Sequence, residues 1–260
     1  MGAALFRPEG DRLAPTELTA GPWSPDAQHG GPVSALLARA CEQVPAERPV
    51  QVVRLTVELV RPVPLTPLEV HAEITRPGKR VQLVDATLRA EGSEVARARA
   101  LRIRTTPVPV PDQVPDPPAP TLPDVTGPPT PPTGLAAGMG YAAAVDLRHV
   151  TGSWEGLGPA TVWIRLLADL VEGEVPSPFQ RVAAAADFGN GLSRIVPFDT
   201  HTFLNPDLTI ALSRIPAGSW IGLDAVTRLS PDGFGQAEST VFDTAGPVGR
   251  AVQSLIVERR

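Results

Sequence analysis

Apolar positions recur along the chain in two patterns, and the pair of patterns occurs twice. Pro32 to Val44 reads P-V-S-A-L-L-A-R-A-C-E-Q-V. That is too densely apolar for a helix lying on a surface, so it predicts one buried on most sides. Gly30 and Gly31 stand in front of it, and Pro32 suits the first helical turn. Four runs with strand character follow, at Val50–Val60, Leu68–Thr75, Arg80–Ala90 and Glu94–Arg104. In the last, Val95, Ala98, Ala100 and Ile103 interleave imperfectly with arginines. The turns Arg76–Lys79 and Glu91–Glu94 separate them, as in an antiparallel meander. The order then returns. Ser177 to Ile195 predicts a helix with a buried alanine-rich middle, and strands fit Leu208–Arg214, Trp220–Leu229, Gly235–Asp243 and Val248–Glu258.

The two copies share one register. At an offset of 209 − 56 = 153, Thr56 meets Thr209, Leu59 meets Leu212, Arg61 meets Arg214, Thr87 meets Thr240 and Ile103 meets Ile256. A repeat this long is a duplicated domain rather than a solenoid. One chain then carries an interface that a single-copy protein would form as a homodimer. A buried helix followed by a long antiparallel meander, made twice, predicts an α+β double hotdog: two antiparallel sheets, each wrapped around a central helix and able to join edge to edge. Between Pro107 and Pro132 lie 12 of the 31 prolines. Proline fixes φ and removes a backbone donor, so this stretch reads as a stiff connector. The expected organisation is an N-terminal domain over residues 1–106, a linker over 107–133 and a C-terminal domain over 134–260.

Bulk composition narrows the function classes. Hydrophobic residues are 42% and charged residues 20% of the 260, as in ordinary globular proteins. A net charge of −5 argues against general nucleic-acid binding. No apolar run suggests a membrane span and no secretory signal is visible, so a cytoplasmic location is expected. The lone Cys41 excludes an intrachain disulfide, and His71, His149 and His201 lack metal-ligand spacing. Asp146, His149 and Ser153 invite comparison with a triad, but the chain has no G-x-S-x-G elbow.

Several short motifs point further. The first copy carries F-R (Phe6, Arg7), H-G-G-P-V (His29–Val33), L-V-R-P (Leu59–Pro62) and T-R-P-G-K (Thr75–Lys79); the second carries V-W-I-R (Val162–Arg165), A-A-D (Ala185–Asp187) and A-V-Q (Ala251–Gln253). In this order the chain resembles the double-hotdog acyl-CoA thioesterases, of which thioesterase II is the best-known type. The segments G-P-W-x-P (Gly21–Pro25) and Q-H-G-G-P resemble an actinobacterial thioesterase-like branch more closely still. The resemblance implies hydrolysis of an acyl-CoA by a water that an aspartate, a threonine and a glutamine hold and activate. By position these are Asp187, Thr227 and Gln253, with Asp187 as general base. It also implies a coenzyme A groove where Arg76 and Arg80 meet phosphates, no cofactor beyond the coenzyme A of the substrate, and a homo-oligomer of double-hotdog subunits.

Each candidate also has a plainer reading. Asp187 in an apparently buried helix is costly unless paired, and a cap or a salt bridge to Arg194 or Arg165 would account for it. Gln253 has Ala100 as its repeat partner, so its polar group belongs to one copy only. Thr227 is an ordinary strand residue. His29 is an acid–base candidate or a helix cap, and Gly30 and Gly31 offer free amides to an oxyanion. Three rival functions stand beside hydrolysis: an acyl-thioester binding protein of the same fold, an assembly component, and an enoyl-CoA hydratase. The last needs an Asp–His pair, and no histidine follows closely after Asp187.

Overall fold

A computed structural model describes residues 2–109, 117–129 and 140–260. Two helices form its centre. Helix α1 (Gly30–Gln43) starts at His29, whose Nδ1 lies 3.0 Å from the Gly31 amide nitrogen, and buries Leu36, Leu37 and Cys41 completely. Helix α2 (Pro178–Ala186) starts in a capping box between Ser177 and Gln180, with Pro178 in its first turn. The predicted second helix is shorter than its apolar run. It stops at Asp187, and a separate turn, α3 (Gly189–Leu192), follows. The break lies where the Phe188 amide bonds to the Ala185 carbonyl, three residues back, tightening the last turn.

The helices run antiparallel. Glu42, near the end of α1, accepts from Ser177 Oγ and Gln180 Nε2 at the start of α2, while Asp187, just past α2, meets His29 and Gly30 at the start of α1.

Around them lies one extended antiparallel sheet. Its first half is β3 (Val50–Leu59), β4 (Glu69–Arg76), β5 (Val81–Ala90) and β6 (Ser93–Arg104). Its second half is β7 (Val145–Thr151), β8 (Ala160–Leu166), β10 (His201–Leu204), β11 (Asp207–Leu212), β12 (Trp220–Leu229), β13 (Phe234–Asp243) and β14 (Gly246–Arg259). The order is β4-β5-β6-β3-β11-β14-β13-β12-β8-β7, with β10 also pairing β14. Strands β1 (Ala4–Glu9), β2 (Arg12–Pro15) and β9 (Asp169–Val171) form a small separate sheet.

The halves join where β3 pairs β11, with Thr56 directly opposite Thr209. Those residues are equivalent in the repeat, so the pseudo-twofold axis passes between them; their hydroxyls lie 3.2 Å apart. Joining the sheets here leaves β4 and β7 as the ends and removes two internal edges. The strand V-W-I-R is one place in from the end, covered by β7.

Alternation in β6 departs from expectation. Leu88 pairs Ala96 and Arg89 pairs Glu94, so Val95 is bulged out of register. Beyond the bulge the inward set is Ala96, Ala98, Ala100 and Arg102, leaving Ile103 outside at 40% exposure. Arg102 is tolerated inside because its guanidinium donates to the Cys41 and Val44 carbonyls at the end of α1 and to Gln82.

Of the proline-rich stretch, residues 110–116 and 130–139 lie outside the described residues. The part between them is not free-standing. Ala119, Leu122 and Val125 pack on Trp163, Trp220 and Phe242, on the sheet face opposite the helices. Arg148 fastens it by donating to the Gly127 and Pro128 carbonyls. Among the described residues no helix is long and apolar enough to cross a membrane.

Candidate active site

The break after α2 puts Asp187 at the mouth of α1. Its residue is 4% exposed, and every contact of its carboxylate has a clear chemical sense. Oδ1 accepts from Asn205 Nδ2 at 2.7 Å and from Gln253 Nε2 at 3.1 Å. Oδ2 lies 2.9 Å from His29 Nδ1. The positive end of the α1 dipole faces it. A Cβ on Gly30 would stand 2.6 Å from Oδ2, so only glycine lets the helix backbone come this close. Burial alone pushes the carboxyl up, but His29, Asn205 and Gln253 outweigh it and hold Asp187 below the usual carboxylate range. Neither Arg165 nor Arg194 is its partner. The first pairs with Asp146, and the second donates to the Gly191 and Trp154 carbonyls.

The amides around Asp187 form a closed network. Gln253 Oε1 accepts from the Asn190 amide at 3.0 Å, and Asn190 Nδ2 donates to Asn205 Oδ1 at 3.3 Å. The side-chain amides of Gln253 and Asn205 are thereby fixed at both ends. Gly189 allows the close approach, since a Cβ there would meet Gln253 Oε1 and Ser239 Oγ, each at 2.9 Å.

Thr227 stands apart from this group. Its hydroxyl is 2.8 Å from Ser193 Oγ, which itself donates to the Gly189 carbonyl. Through the pairs Thr227–Ala237 and Ala237–Gln253 it is two strands from Gln253, about 10 Å. Arg76 and Arg80 are farther away. They are exposed around the β4–β5 turn, where the Arg80 carbonyl accepts from the Arg104 amide. That is the end of β6 from which Arg102 reaches the last carbonyl of α1, so α1 separates it from Asp187 by about 20 Å. The arginine that lines the Asp187 cleft is Arg61.

The cleft holds about 450 Å³ and opens over His29, Gly30, Asp187, Asn190 and Asn205. Its walls are mainly apolar, from Trp23, Val33, Leu59, Val63, Leu204 and Ile256. His29 and Pro22 also line an adjoining chamber of about 650 Å³. The His29 ring is held between Tyr141 and Phe188, with both centroids at 4.9 Å. Among the described residues no cluster of histidine, cysteine and carboxylates fits a metal ion.

Asn190 and Asn205 were not singled out from sequence. The signal for Asn205 is faint: N-P opens a turn before β11, and its repeat partner is Val52 (205 − 153 = 52), so, like Gln253, it is polar in one copy only.

Similarity to known proteins agrees with this architecture. Residues 19–103 match the acyl-CoA thioesterase N-terminal domain and residues 111–257 the acyl-CoA thioesterase C-terminal domain. A protein from Novosphingobium aromaticivorans DSM 12444, provisionally assigned as a thioesterase, is 23% identical over 97% of this chain and 98% of its own, with a TM-score of 0.72. A hot dog fold protein of unknown function from Alicyclobacillus acidocaldarius gives 17% identity over 97% and 95%, with a TM-score of 0.70. The acyl-CoA thioesterase II TesB2 of Mycobacterium marinum gives 16% over 90% of both chains, with a TM-score of 0.65. At these identities the structures speak for the double-hotdog fold. No curated protein matches the sequence. The matched domains span most of the chain, which therefore belongs to the acyl-CoA thioesterase family and is a thioester hydrolase.

Proposed function

We propose that the chain hydrolyses acyl-CoA thioesters to the free acid and CoA, by attack of a water activated at the site built around Asp187. The observation that carries this reading is a buried, fully hydrogen-bonded carboxylate beneath a mainly apolar cleft at a helix N-terminus. An acyl chain fits the apolar walls, and the thioester group then lies over Asp187. The carbonyl of a thioester is less resonance-stabilised than that of an amide, so an activated water suffices and no covalent intermediate is needed. Charge developing on the carbonyl oxygen meets the amides at the start of α1. Gly30 lines the cleft, and no acceptor for its N–H is found among the described residues.

In this reading Gln253 fixes the carboxylate, together with Asn205. Thr227 is a positioning residue, holding the α3 turn through Ser193 and so the Asn190 amide that orients Gln253. The test is release of free thiol from acyl-CoAs of increasing chain length by the wild type and by Asp187→Asn. Thiol release from the wild type that collapses in a folded Asp187→Asn supports the reading. Equal release by both sinks it.

One observation favours a second reading. The Asp187–His29 contact supplies the carboxylate–imidazole pair that adding water to an enoyl thioester requires, and that pair joins the two halves of the chain rather than lying in one segment. Crotonyl-CoA separates the two reactions, because hydration removes the conjugated absorbance without liberating thiol.

A further inference from the structure

We propose that His29 takes the proton from the attacking water, with Asp187 holding its imidazole, so that a histidine from the first half and a carboxylate from the second make one catalytic pair. This rests on the hydrolytic reading and deepens it.

His29 Nδ1 has two close neighbours, Asp187 Oδ2 at 2.9 Å and the Gly31 N–H at 3.0 Å. One ring nitrogen cannot serve both at once, since it either donates or accepts. An ionised carboxylate offers only lone pairs, so at 2.9 Å a proton lies between the two atoms. Asn205, Gln253 and the α1 dipole favour the ionised carboxylate, which places that proton on Nδ1. The resulting charge-assisted bond is about twice as strong as the neutral one it replaces. The neutral ring then has its lone pair on Nε2.

Nε2 has no partner among the described residues, and the ring lines both the Asp187 cleft and the adjoining chamber. Tyr141 and Phe188 clamp the ring from two sides. Asp187 itself is a weak base, because donors already occupy both its oxygens. Its charge acts through the imidazole it orients, the division of labour seen when a carboxylate holds a histidine in one tautomer.

The step balances. Nε2 accepts one proton from water as the water oxygen bonds to the carbonyl carbon, and the C=O pair moves onto oxygen. Collapse re-forms the carbonyl and breaks the C–S bond, and the departing sulfur takes the proton back from Nε2. The water's two hydrogens end on the acid and on the thiol, and nothing is oxidised or reduced.

The groups around His29 are few. Asp187 faces it from the end of α2. Tyr141 faces it from the turn at Gly140–Ala144, its hydroxyl committed to the Ala184 carbonyl. Arg61 lines the cleft, and Glu17 lines the adjoining chamber.

The experiment is steady-state hydrolysis of octanoyl-CoA across pH by the wild type and His29→Asn, which keeps a capping side chain at the start of α1. The expected result is a kcat lower by about 10²- to 10⁴-fold, KM little changed, and a pH profile of kcat altered from that of the wild type. Wild-type kcat and pH profile in a folded His29→Asn overturn the proposal. A measurement independent of turnover accompanies it: imidazole ¹⁵N NMR, with the proton expected on Nδ1 in the wild type and released from that site in Asp187→Asn. A proton found on Nε2 alone in the neutral wild-type ring overturns the His29 assignment even where hydrolysis is robust. A wild type that hydrolyses no acyl-CoA overturns the hydrolytic reading, and the role of His29 as base falls with it.

Discussion

The two ends of the antiparallel helix pair are built on one plan and do different things. At each, a carboxylate from one helix meets the N-terminus of the other. Glu42 sits at the start of α2, held by Ser177 and Gln180, and burial raises its carboxyl above the usual range in spite of those bonds. Asp187 sits at the start of α1, and its partners hold it below that range even though it is the more buried of the two. The difference comes from what each half supplies around the carboxylate. Asn205 and Gln253 serve Asp187, whereas their repeat partners are Val52 and Ala100. Arg61 lines the cleft, whereas Arg214 is bound to Asp243. Duplication made both ends available, and polar residues were fitted at one of them.

The largest expected effect tests that asymmetry directly. Asp187→Asn lowers kcat by about 10³-fold or more, while Glu42→Gln stays within about twofold, measured as thiol release under the same conditions. Comparable losses in both would mean that the two ends share the chemistry.

Next comes Gly30→Ala, whose new Cβ displaces the Asp187 carboxylate. A shift of about 1 Å there costs about 10²-fold in turnover, and circular dichroism should show the fold retained. The adjustment is smaller at Thr227→Val, which removes a hydroxyl from behind α3. It lowers kcat by less than about tenfold, and a collapse equal to that of Asp187→Asn would return Thr227 to direct contact with the water.

At the other end the effect is on stability. Ser177→Ala loses a cap and a Glu42 contact, costing about 1 kcal/mol and lowering Tm by roughly 2–4 °C, with turnover unchanged. The smallest effect is on acid stability. Asp243, hydrogen-bonded by Arg214 and the Ala217 and Ala245 amides, is held down to about 2. Its contribution is therefore complete above its unfolded value, about 3.9, and is lost as pH falls toward about 2. Asp243→Asn should flatten that part of the unfolding profile.

The regular part of the fold was legible because period and spacing are local properties. The repeat offset carries β5 (Val81–Ala90) onto β13 (Phe234–Asp243) residue for residue, and the four main strands of each half lie in the segments their own sequence marks. Strands β1, β2, β7, β9 and β10 were not anticipated, and Arg102 turned inward where Ile103 was expected to. A single bulged residue at Val95 changes which side every later position faces, and composition does not announce a bulge.

The site divides in the same way. Sequence by itself determined the duplicated helix-and-meander units, the placing of a carboxylate at Asp187, and the restriction of Gln253 to one copy, because each is written in one segment or one offset. Only the tertiary structure decided which groups surround that carboxylate. His29 lies 158 positions before Asp187 in the chain and 2.9 Å from it in space. That contact exists because two antiparallel helices from different halves meet end to end, and nothing local to either segment encodes the meeting.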